Sequence, residues 1–525
     1  MKKTKLTSLA LAALLTAAAA PALAQTPAPT APPEPTLEVR RYVIEGALPL
    51  SDSEVSATLA PFTGPGRTMS DIQRAAEAIE QRLRANGQAF HRLFVPAQRP
   101  INGEIRLQVV TFKLGQVEVA GNRNFDTPNV RASLPTLVEG QAPEVSQLGA
   151  DISASNTNPA KQVSVTFRES RQPNTVDALV RVQDSSPVAF IASLTANQHV
   201  TGGTNPGNIV RLTGAFQHAN LFNRDHVMTL SYSTDPRNVS EMTLLGAYYQ
   251  IPLYGTGMTA SAYYTQSDIN SGRVQQGAGF FDVSGSGRFY GLRLTKALAR
   301  TGSLQPTLSI AFDERIFENS TTFNGAQIQP DVSSRVASVQ ASLRDDTSWG
   351  TWSATLEHAV NVGGGTNNTD LTHGANGGER DWRLWRYNAE VTAPLSNWQV
   401  MGRVRGQSSS NLLVSGEQFG LGGANSVRGF GDRAVAGEQG HQWTVEVTGP
   451  ALGSTGLRPV VFADAGRALA RATGVTESIS SAGVGVRWYR SNFQVSLDLA
   501  KVIDDVSTAT GSRPVRLNLA VVSRF

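Results

Sequence analysis

An arginine and an aspartate that lie far apart in the sequence are the residues whose surroundings point most clearly to chemistry. Arg428 belongs to a glycine-rich segment, Phe419 to Arg433, whose apolar residues favour burial over exposure to solvent. If this segment folds back into the protein, the arginine needs a carboxylate, because an unpaired buried charge is costly. The next strand-like stretch, VVFADAG, offers Asp464, which shares a face with Phe462. Asp464 is therefore the candidate partner of Arg428.

Catalytic signatures are missing from the sequence. We find no P-loop, no H-E-x-x-H zinc motif, no G-x-S-x-G nucleophile motif and no G-x-G-x-x-G dinucleotide motif. The seven histidines are scattered without metal-ligand spacing. The absence of cysteine excludes a disulfide scaffold, a zinc finger and a thiol enzyme. We therefore expect no enzyme, no metal site and no cofactor.

The N-terminal residues are typical of an export signal. Three lysines in the first five residues precede an apolar stretch, and Ala22-Leu23-Ala24 forms a small-x-small cleavage site. The apolar stretch is shorter than the roughly 20 residues of a membrane-spanning helix, which favours cleavage after Ala24 over a membrane anchor. We expect residues 1–24 to be a signal peptide and residues 25–36 a proline-rich leader. Without those lysines the net charge of +4 falls to about +1, which gives no argument for a nucleic-acid partner.

Helix and strand patterns alternate between residues 37 and 187 and predict two small α+β units. The first is expected over residues 37–113 and the second over residues 114–187, each in the order β-α-α-β-β. The clearest helix spans residues 70–86, with Ser70 as its expected N-cap. A tandem pair is a firmer inference than either unit alone.

Residues 188–525 show strand patterns without helical periodicity. In the last strand, from Val515 to Phe525, apolar residues alternate with polar ones such as Arg516 and Asn518. A soluble sandwich alternates too, but its strands are usually about five or six residues long, whereas tilted membrane strands need about 9–11. Aromatic residues near strand ends suit an interfacial girdle, among them Tyr263, Trp382, Trp385 and Trp398. We therefore predict a transmembrane β-barrel of about 16 antiparallel strands, preceded by two small α+β domains.

One connection in the predicted barrel is too long for a simple hairpin. Residues 408–438 carry glycines together with Leu421, Val427 and Phe430, which favour burial. This connection is expected to fold into the barrel lumen.

The motifs of this loop and the following strand carry a family resemblance. Val427-Arg428-Gly429-Phe430 followed by Phe462-x-Asp464-x-Gly466 resembles the paired motifs of the POTRA-bearing outer-membrane barrel superfamily. The two α+β units resemble POTRA domains, and ISASNTNPAKQVSVTF resembles the N-x-N-P-x-(K/R) stretch of a second POTRA. Two POTRA domains before about 16 strands is the plan of two-partner secretion transporters, the haemolysin secretion/activation (TpsB) family. The pore-loop and gating residues that this resemblance implies are Val427, Arg428, Gly429, Phe430, Phe462, Asp464 and Gly466.

The resemblance implies a location, a function and partners. The barrel is expected in the bacterial outer membrane, surrounded by its lipid, with the POTRA domains in the periplasm. The expected function is export of a large haemolysin- or adhesin-like exoprotein by two-partner (type Vb) secretion, with the POTRA domains capturing the unfolded partner. The ion pair of Arg428 with Asp464 is expected to set the position of the loop, and the alternative is an ordinary ion pair of the lumen. Phe525 is the expected assembly signal for the barrel-assembly machinery.

Two other functions stay open. A barrel-assembly factor of the same superfamily usually carries three to five POTRA domains, and a solute channel needs none. Some members of the family close their pore with an N-terminal helix, but the short proline-rich leader predicts no such helix here.

Overall fold

A computed structural model describes most of the chain, and the predicted signal peptide and nearly all of the proline-rich leader lie outside the described residues. The described residues are 35–201, 209–239, 242–268, 272–276, 279–283, 286–319, 322–323, 326–327, 329–504 and 515–525. Among them, no helix is long and apolar enough to cross a membrane.

The first α+β unit is built around a three-stranded sheet. Its elements are β1 (Leu37–Val39), β2 (Arg41–Glu45), α1 (Asp52–Leu59), a 3₁₀ turn (Ala60–Phe62), β3 (Gly64–Arg67), α2 (Met69–Ala85), β4 (His91–Phe94) and β5 (Glu104–Thr111). The sheet has the order β2-β5-β4, and β2 runs parallel to β5. The small β1–β3 pair adds two strands to the predicted β-α-α-β-β order.

Helix α2 begins one residue earlier than its pattern predicts. The expected N-cap, Ser70, is wrong, because the hydroxyl of Thr68 accepts a hydrogen bond from the Asp71 amide at 3.2 Å. The carboxylate of Asp71 in turn accepts one from the Thr68 amide at 2.9 Å, which completes a reciprocal cap. The apolar stripe through Ile72 and Ile79 is buried, as the helical period predicts.

The second α+β unit has the predicted order β-α-α-β-β. Its elements are β6 (Lys113–Ala120), α3 (Thr127–Ala132), α4 (Val145–Ser155), β7 (Lys161–Glu169) and β8 (Thr175–Asp184). Strand β8 lies in the centre of the sheet, parallel to β6 and antiparallel to β7. Leu114, Phe125 and Val180 are among the side chains that form its buried core.

Sixteen antiparallel strands form a closed barrel, which confirms the predicted fold class. The barrel strands are β9 (Val188–Thr201), β10 (Ile209–Leu221), β11 (His226–Thr234), β12 (Thr243–Leu253), β13 (Met258–Ser267), β16 (Gly287–Ala297), β17 (Gln305–Phe317), β20 (Val332–Thr347), β21 (Gly350–Asn361), β22 (Arg383–Leu395), β23 (Trp398–Ser409), β26 (Gln439–Thr448), β27 (Leu457–Ala470), β28 (Val475–Arg490), β29 (Phe493–Asp504) and β30 (Val515–Arg524). Each strand pairs with the barrel strand before it, and β30 closes the barrel against β9.

Short elements lie in the connections between barrel strands. They are β14 (Gly272–Gln276), β15 (Gly279–Val283), β18 (Thr322–Phe323), β19 (Ala326–Gln327), α5 (Asp370–Ala375), β24 (Phe419–Leu421), β25 (Val435–Gly437) and two 3₁₀ turns (Ser415–Glu417 and Gly453–Thr455).

The alternation of each barrel strand separates an outer apolar face from an inner polar face. On β27, Val461 is 51% exposed on the outside, whereas the neighbouring Phe462 and Asp464 are buried on the inside. Trp385 and Trp398 are exposed, as a girdle requires. The girdle prediction is wrong for Trp382, which is buried in the connection before β22, and for Tyr263, which is partly buried and packs against a buried apolar cluster.

Candidate functional site

The connection between β23 and β26 folds back against the inner face of the barrel wall. We call residues 410–438 the lumen loop. Strands β24 and β25 pair within it and give it a short hairpin. Its side chains Leu421, Val427 and Phe430 pack with Ile479 and Val502 of the wall. Apolar burial thus holds the loop in the lumen, and its glycines provide the tight turns that this path requires.

Arg428 binds Asp464 of β27 through both nitrogens of one edge of its guanidinium. Nε of Arg428 lies 2.8 Å from Oδ2 of Asp464, and Nη2 lies 3.1 Å from Oδ1. The backbone N–H of Arg428 also donates to Oδ2, at 3.1 Å. Both residues are buried, with exposed fractions of 5% and 2%. This bidentate geometry fixes the orientation of the loop as well as neutralising both charges.

Two further carboxylates complete the surroundings of Arg428. Its Nη1 lies 2.9 Å from Oε2 of Glu446 on β26 and 3.2 Å from Oδ2 of Asp498 on β29. Arg487 of β28 contacts the same two acids, Glu446 at 3.0 Å and Asp498 at 2.5 Å. The three carboxylates and two guanidinium groups of this cluster sum to a charge of −1. The loop therefore supplies a cation to a wall that would otherwise carry excess negative charge.

Three other predicted site residues, from the loop and from β27, lie around this ion pair. The ring of Phe462 lies under the guanidinium of Arg428, with 3.4 Å between Cζ and the ring centroid, a cation–π arrangement. The carbonyl oxygen of Phe430 accepts a hydrogen bond from Asn197 of β9 at 3.2 Å. Gly429 has a φ of 98°, a conformation that favours glycine.

Gly466 permits a close approach of the loop to the wall. A Cβ at this position would lie 2.7 Å from Cδ2 of Leu421, so any side chain would displace the loop. Val427 is fully buried in the same region.

Phe525 lies at the seam of the barrel, away from the lumen loop. Its backbone exchanges two hydrogen bonds with Phe190 of β9, at 2.8 and 3.1 Å. Its ring is exposed and lies edge-on to Phe493.

Sequence reasoning missed Glu446, Asp498 and Arg487 as members of the cluster. Their signal in the sequence is a charged residue on the inward face of a strand, among residues that are mostly uncharged. That signal does not say which strands meet the loop, because only barrel closure brings β26 to β29 around one point.

A second buried polar cluster joins the second α+β unit to the barrel. Lys161 of β7 forms a fully buried ion pair with Asp225 in the turn before β11, and the Tyr254 hydroxyl donates to the same carboxylate. Asn158 of the NTNPAK stretch donates to the Ala219 carbonyl at 2.6 Å. The stretch that resembles a family motif therefore forms part of the contact of this unit with the barrel.

Comparisons with known proteins agree with this architecture. The sequence matches the haemolysin secretion/activation protein family ShlB/FhaC/HecB over residues 176–488, and the ShlB-type POTRA domain over residues 37–111. Over 420 residues it is 22% identical to the outer membrane transporter CdiB of Dickeya dadantii (strain 3937), with 79% of this chain and 72% of the relative covered.

Solved structures show the same fold. CdiB from Escherichia coli superposes with a TM-score of 0.74 at 17% identity, covering 95% of this chain and 92% of that chain. CdiB from Acinetobacter baumannii gives a TM-score of 0.72 at 15% identity, covering 94% and 91%. At these identities the likeness is one of fold.

Proposed function

The chain belongs to the haemolysin secretion/activation protein family ShlB/FhaC/HecB, and from this premise we propose how it exports its partner. It is an outer-membrane two-partner secretion transporter, with its barrel in the outer membrane and its POTRA units in the periplasm. We propose that the unfolded partner binds the POTRA units and then passes through the barrel while the lumen loop moves.

The position of the lumen loop is the observation that carries this proposal. Among the described residues, strands β24 and β25 of the loop pair with each other and not with the wall. Side-chain contacts hold the loop in the lumen, and the ion pair of Arg428 with Asp464 is one of them. Such contacts exchange for water or for contacts with a passing chain without breaking the barrel. The ion pair therefore sets the position of the loop more than it stabilises the barrel, since much of its attraction is offset by desolvation.

The POTRA sheets offer edges to an unfolded partner. Strand β7 lies at one edge of the order β6-β8-β7, and an extended segment can add to an exposed edge by main-chain hydrogen bonds. No nucleotide-binding motif is present in the sequence, so we propose that folding of the partner outside the cell gives export its direction.

Biogenesis of the barrel is a separate part of the proposal. Phe525 has an exposed aromatic ring beside the seam, and we propose that the barrel-assembly machinery binds it there. Outer-membrane lipid would then surround the apolar outer face, to which Leu292, Ile310 and Phe312 contribute.

Culture supernatants test the export function. We expect deletion of the gene to remove one large protein from the medium while other outer-membrane barrels stay at their normal abundance. A normal supernatant with depleted outer-membrane proteins would overturn the proposal in favour of barrel assembly. A normal supernatant with lost uptake of a small solute would overturn it in favour of a solute channel.

A further inference from the structure

Glu417 is a buried acid in the first half of the lumen loop, and it pairs with arginines outside the Arg428 cluster. It ends the 3₁₀ turn Ser415–Glu417, and its exposed fraction is 1%. Its Oε2 accepts from Nη1 of Arg315 on β17 at 2.7 Å and from Nη2 of Arg386 on β22 at 3.2 Å. One loop carboxylate therefore binds two arginines from two separate strands of the wall.

The charges of the loop and the wall at Glu417 are the opposite of those at Arg428. At Arg428 the loop supplies the cation and β26, β27 and β29 supply the acids, whereas at Glu417 the loop supplies the acid and β17 and β22 supply the cations. The two contacts lie on different strands of the barrel order. The loop is thus tied to two different parts of the wall.

The surroundings of Glu417 are built for close packing. A Cβ on Gly416 would lie 2.0 Å from the ring of Phe317, so glycine is required for the backbone to reach the wall here. Val414 packs in a buried cluster with Phe317 and Val332. The carbonyl of Glu417 also accepts a hydrogen bond from Nε2 of Gln407 at 2.9 Å. A buried pair of this kind loses much more on removal of one partner than an exposed surface pair does.

We propose that Glu417 is a positioning residue for transport, which holds the first half of the lumen loop in its closed position. The loop then has two anchors of opposite polarity, Arg428 and Glu417, and both must release before the partner passes. This inference rests on the proposed function for its role in export, but the closed position itself is a property of the chain alone.

Channel recordings on the purified full-length protein test the second anchor without the partner. Glu417→Gln keeps the size and shape of the side chain but removes its charge. We expect the fraction of time that the channel spends open in planar lipid bilayers to rise about tenfold, because hydrogen bonds between charged groups are lost. Glu417→Asp keeps the charge and should restore most of the closed state.

A matched control removes a lumen acid that does not bind the loop. Glu390 lies on β22 with Arg386 and pairs with Arg403 of β23 at 2.8 Å. Glu390→Gln should leave the open fraction unchanged. An equal rise in Glu390→Gln and Glu417→Gln would overturn the proposal, since the effect would then belong to lumen charge in general.

A folded Glu417→Gln protein with wild-type channel behaviour would also overturn the proposal. If Glu417→Gln does not accumulate, the double variant Arg315→Gln/Arg386→Gln tests the same anchor from the wall side. A wild-type open fraction in this double variant would overturn the proposal as well. Export is measured in parallel. If the wild-type protein exports no partner, the proposed function is wrong. An increased open fraction of the Glu417→Gln channel would still support the second anchor in that case.

Discussion

At Arg428 a single guanidinium group touches three carboxylates and one aromatic ring. Asp464 takes the bidentate edge, Glu446 and Asp498 share Nη1, and Phe462 lies against the guanidinium plane. Lysine would provide the positive charge but not the planar pair of N–H donors that binds Asp464, so the site needs arginine for its geometry. The position of the loop is therefore fixed by the directions of these hydrogen bonds as well as by charge.

Arg428→Ala tests the role of this residue in export. The substitution leaves Asp464 buried without its bidentate partner, and breaking a buried pair in this way costs about 3–5 kcal/mol. We expect the loop to lose its position and export to fall strongly, while the barrel still inserts. The measurement is the amount of partner in the medium relative to the amount of barrel in the outer membrane.

Arg403→Ala is the control for this prediction. Arg403 forms a wall ion pair with Glu390 and lies on β23, outside the lumen loop. Its export should stay near the wild-type level. Undiminished export by a normally abundant Arg428→Ala protein would show that the ion pair has no role in transport.

At the scale of elements, the NTNPAK stretch helps to connect the second α+β unit to the barrel. The ion pair of Lys161 with Asp225 is fully buried, and burial lowers the pKa of Lys161 while the neighbouring Asp225 opposes this effect. Asn129 accepts a further hydrogen bond from Lys161 at 3.0 Å. The unit is thus joined to the barrel by a buried polar cluster that packs beside an apolar core.

Lys161→Met should loosen this junction, because Asp225 then loses its cation and stays buried. We expect faster hydrogen exchange in β7 and faster proteolysis of residues 185–187. Arg168→Met is the control, since Arg168 lies on the same strand but pairs with Glu118 at the surface. The double variant Lys161→Met/Asp225→Asn should recover part of the protection of β7 against hydrogen exchange. Unchanged exchange in Lys161→Met would contradict a structural role for the ion pair.

Asp184, at the end of β8, gives this unit a pH dependence. Burial opposes ionisation of its carboxyl, but the N–H groups of Asn124, Arg123 and Phe125, at 2.7, 2.8 and 3.0 Å, outweigh burial and lower the pKa of Asp184 below its usual 3.8. A carboxyl with a lowered pKa stabilises the fold above its ordinary pKa, and this contribution disappears as the pH falls through the lowered value.

Asp184→Asn should therefore speed hydrogen exchange at residues 123–125 at neutral pH. The difference from the wild type should shrink as the pH falls below 3.8 and through the lowered pKa of Asp184, where the wild-type carboxyl becomes protonated as well. Comparison of the two proteins at each pH removes the intrinsic pH dependence of exchange. A difference that stays constant down to about pH 2 would contradict the assignment.

At the scale of the whole molecule, the sequence predicts the strands and their faces better than the contacts between them. Alternation identifies Arg516 and Asn518 as inward residues of β30, and both are buried there. Strand length separates the membrane barrel from a soluble sandwich. Alternation does not reveal register, however, because the side-chain period of two is the same for every pairing partner.

Only one contact of the candidate site can be predicted from the sequence. The expected burial of the glycine-rich loop and the family resemblance both point to Arg428 and Asp464, and the structure places their side chains in contact, while their role in gating stays a prediction. Nothing in the sequence marked Glu417 as a partner of Arg315, because that contact depends on the path of the loop across the lumen. The burial of Trp382 is equally unpredictable from the sequence, because it depends on how the connection before β22 folds.

A reversible tether between the lumen loop and the wall tests the central claim, that the partner passes only when this loop moves. A Cβ on Gly429 lies 3.7 Å from Cβ of Ala500 on β29, within the roughly 3.5–4.5 Å that a disulfide needs. The chain has no other cysteine, so Gly429→Cys/Ala500→Cys forms one defined bond. The same protein treated with reductant is its own baseline, which accounts for any strain at Gly429.

We expect the oxidised double variant to insert normally but to export no partner, and reductant to restore export to the level of the single variants Gly429→Cys and Ala500→Cys. Equal export in the oxidised and reduced states, with the disulfide shown to be formed, would contradict the claim that the lumen loop must move.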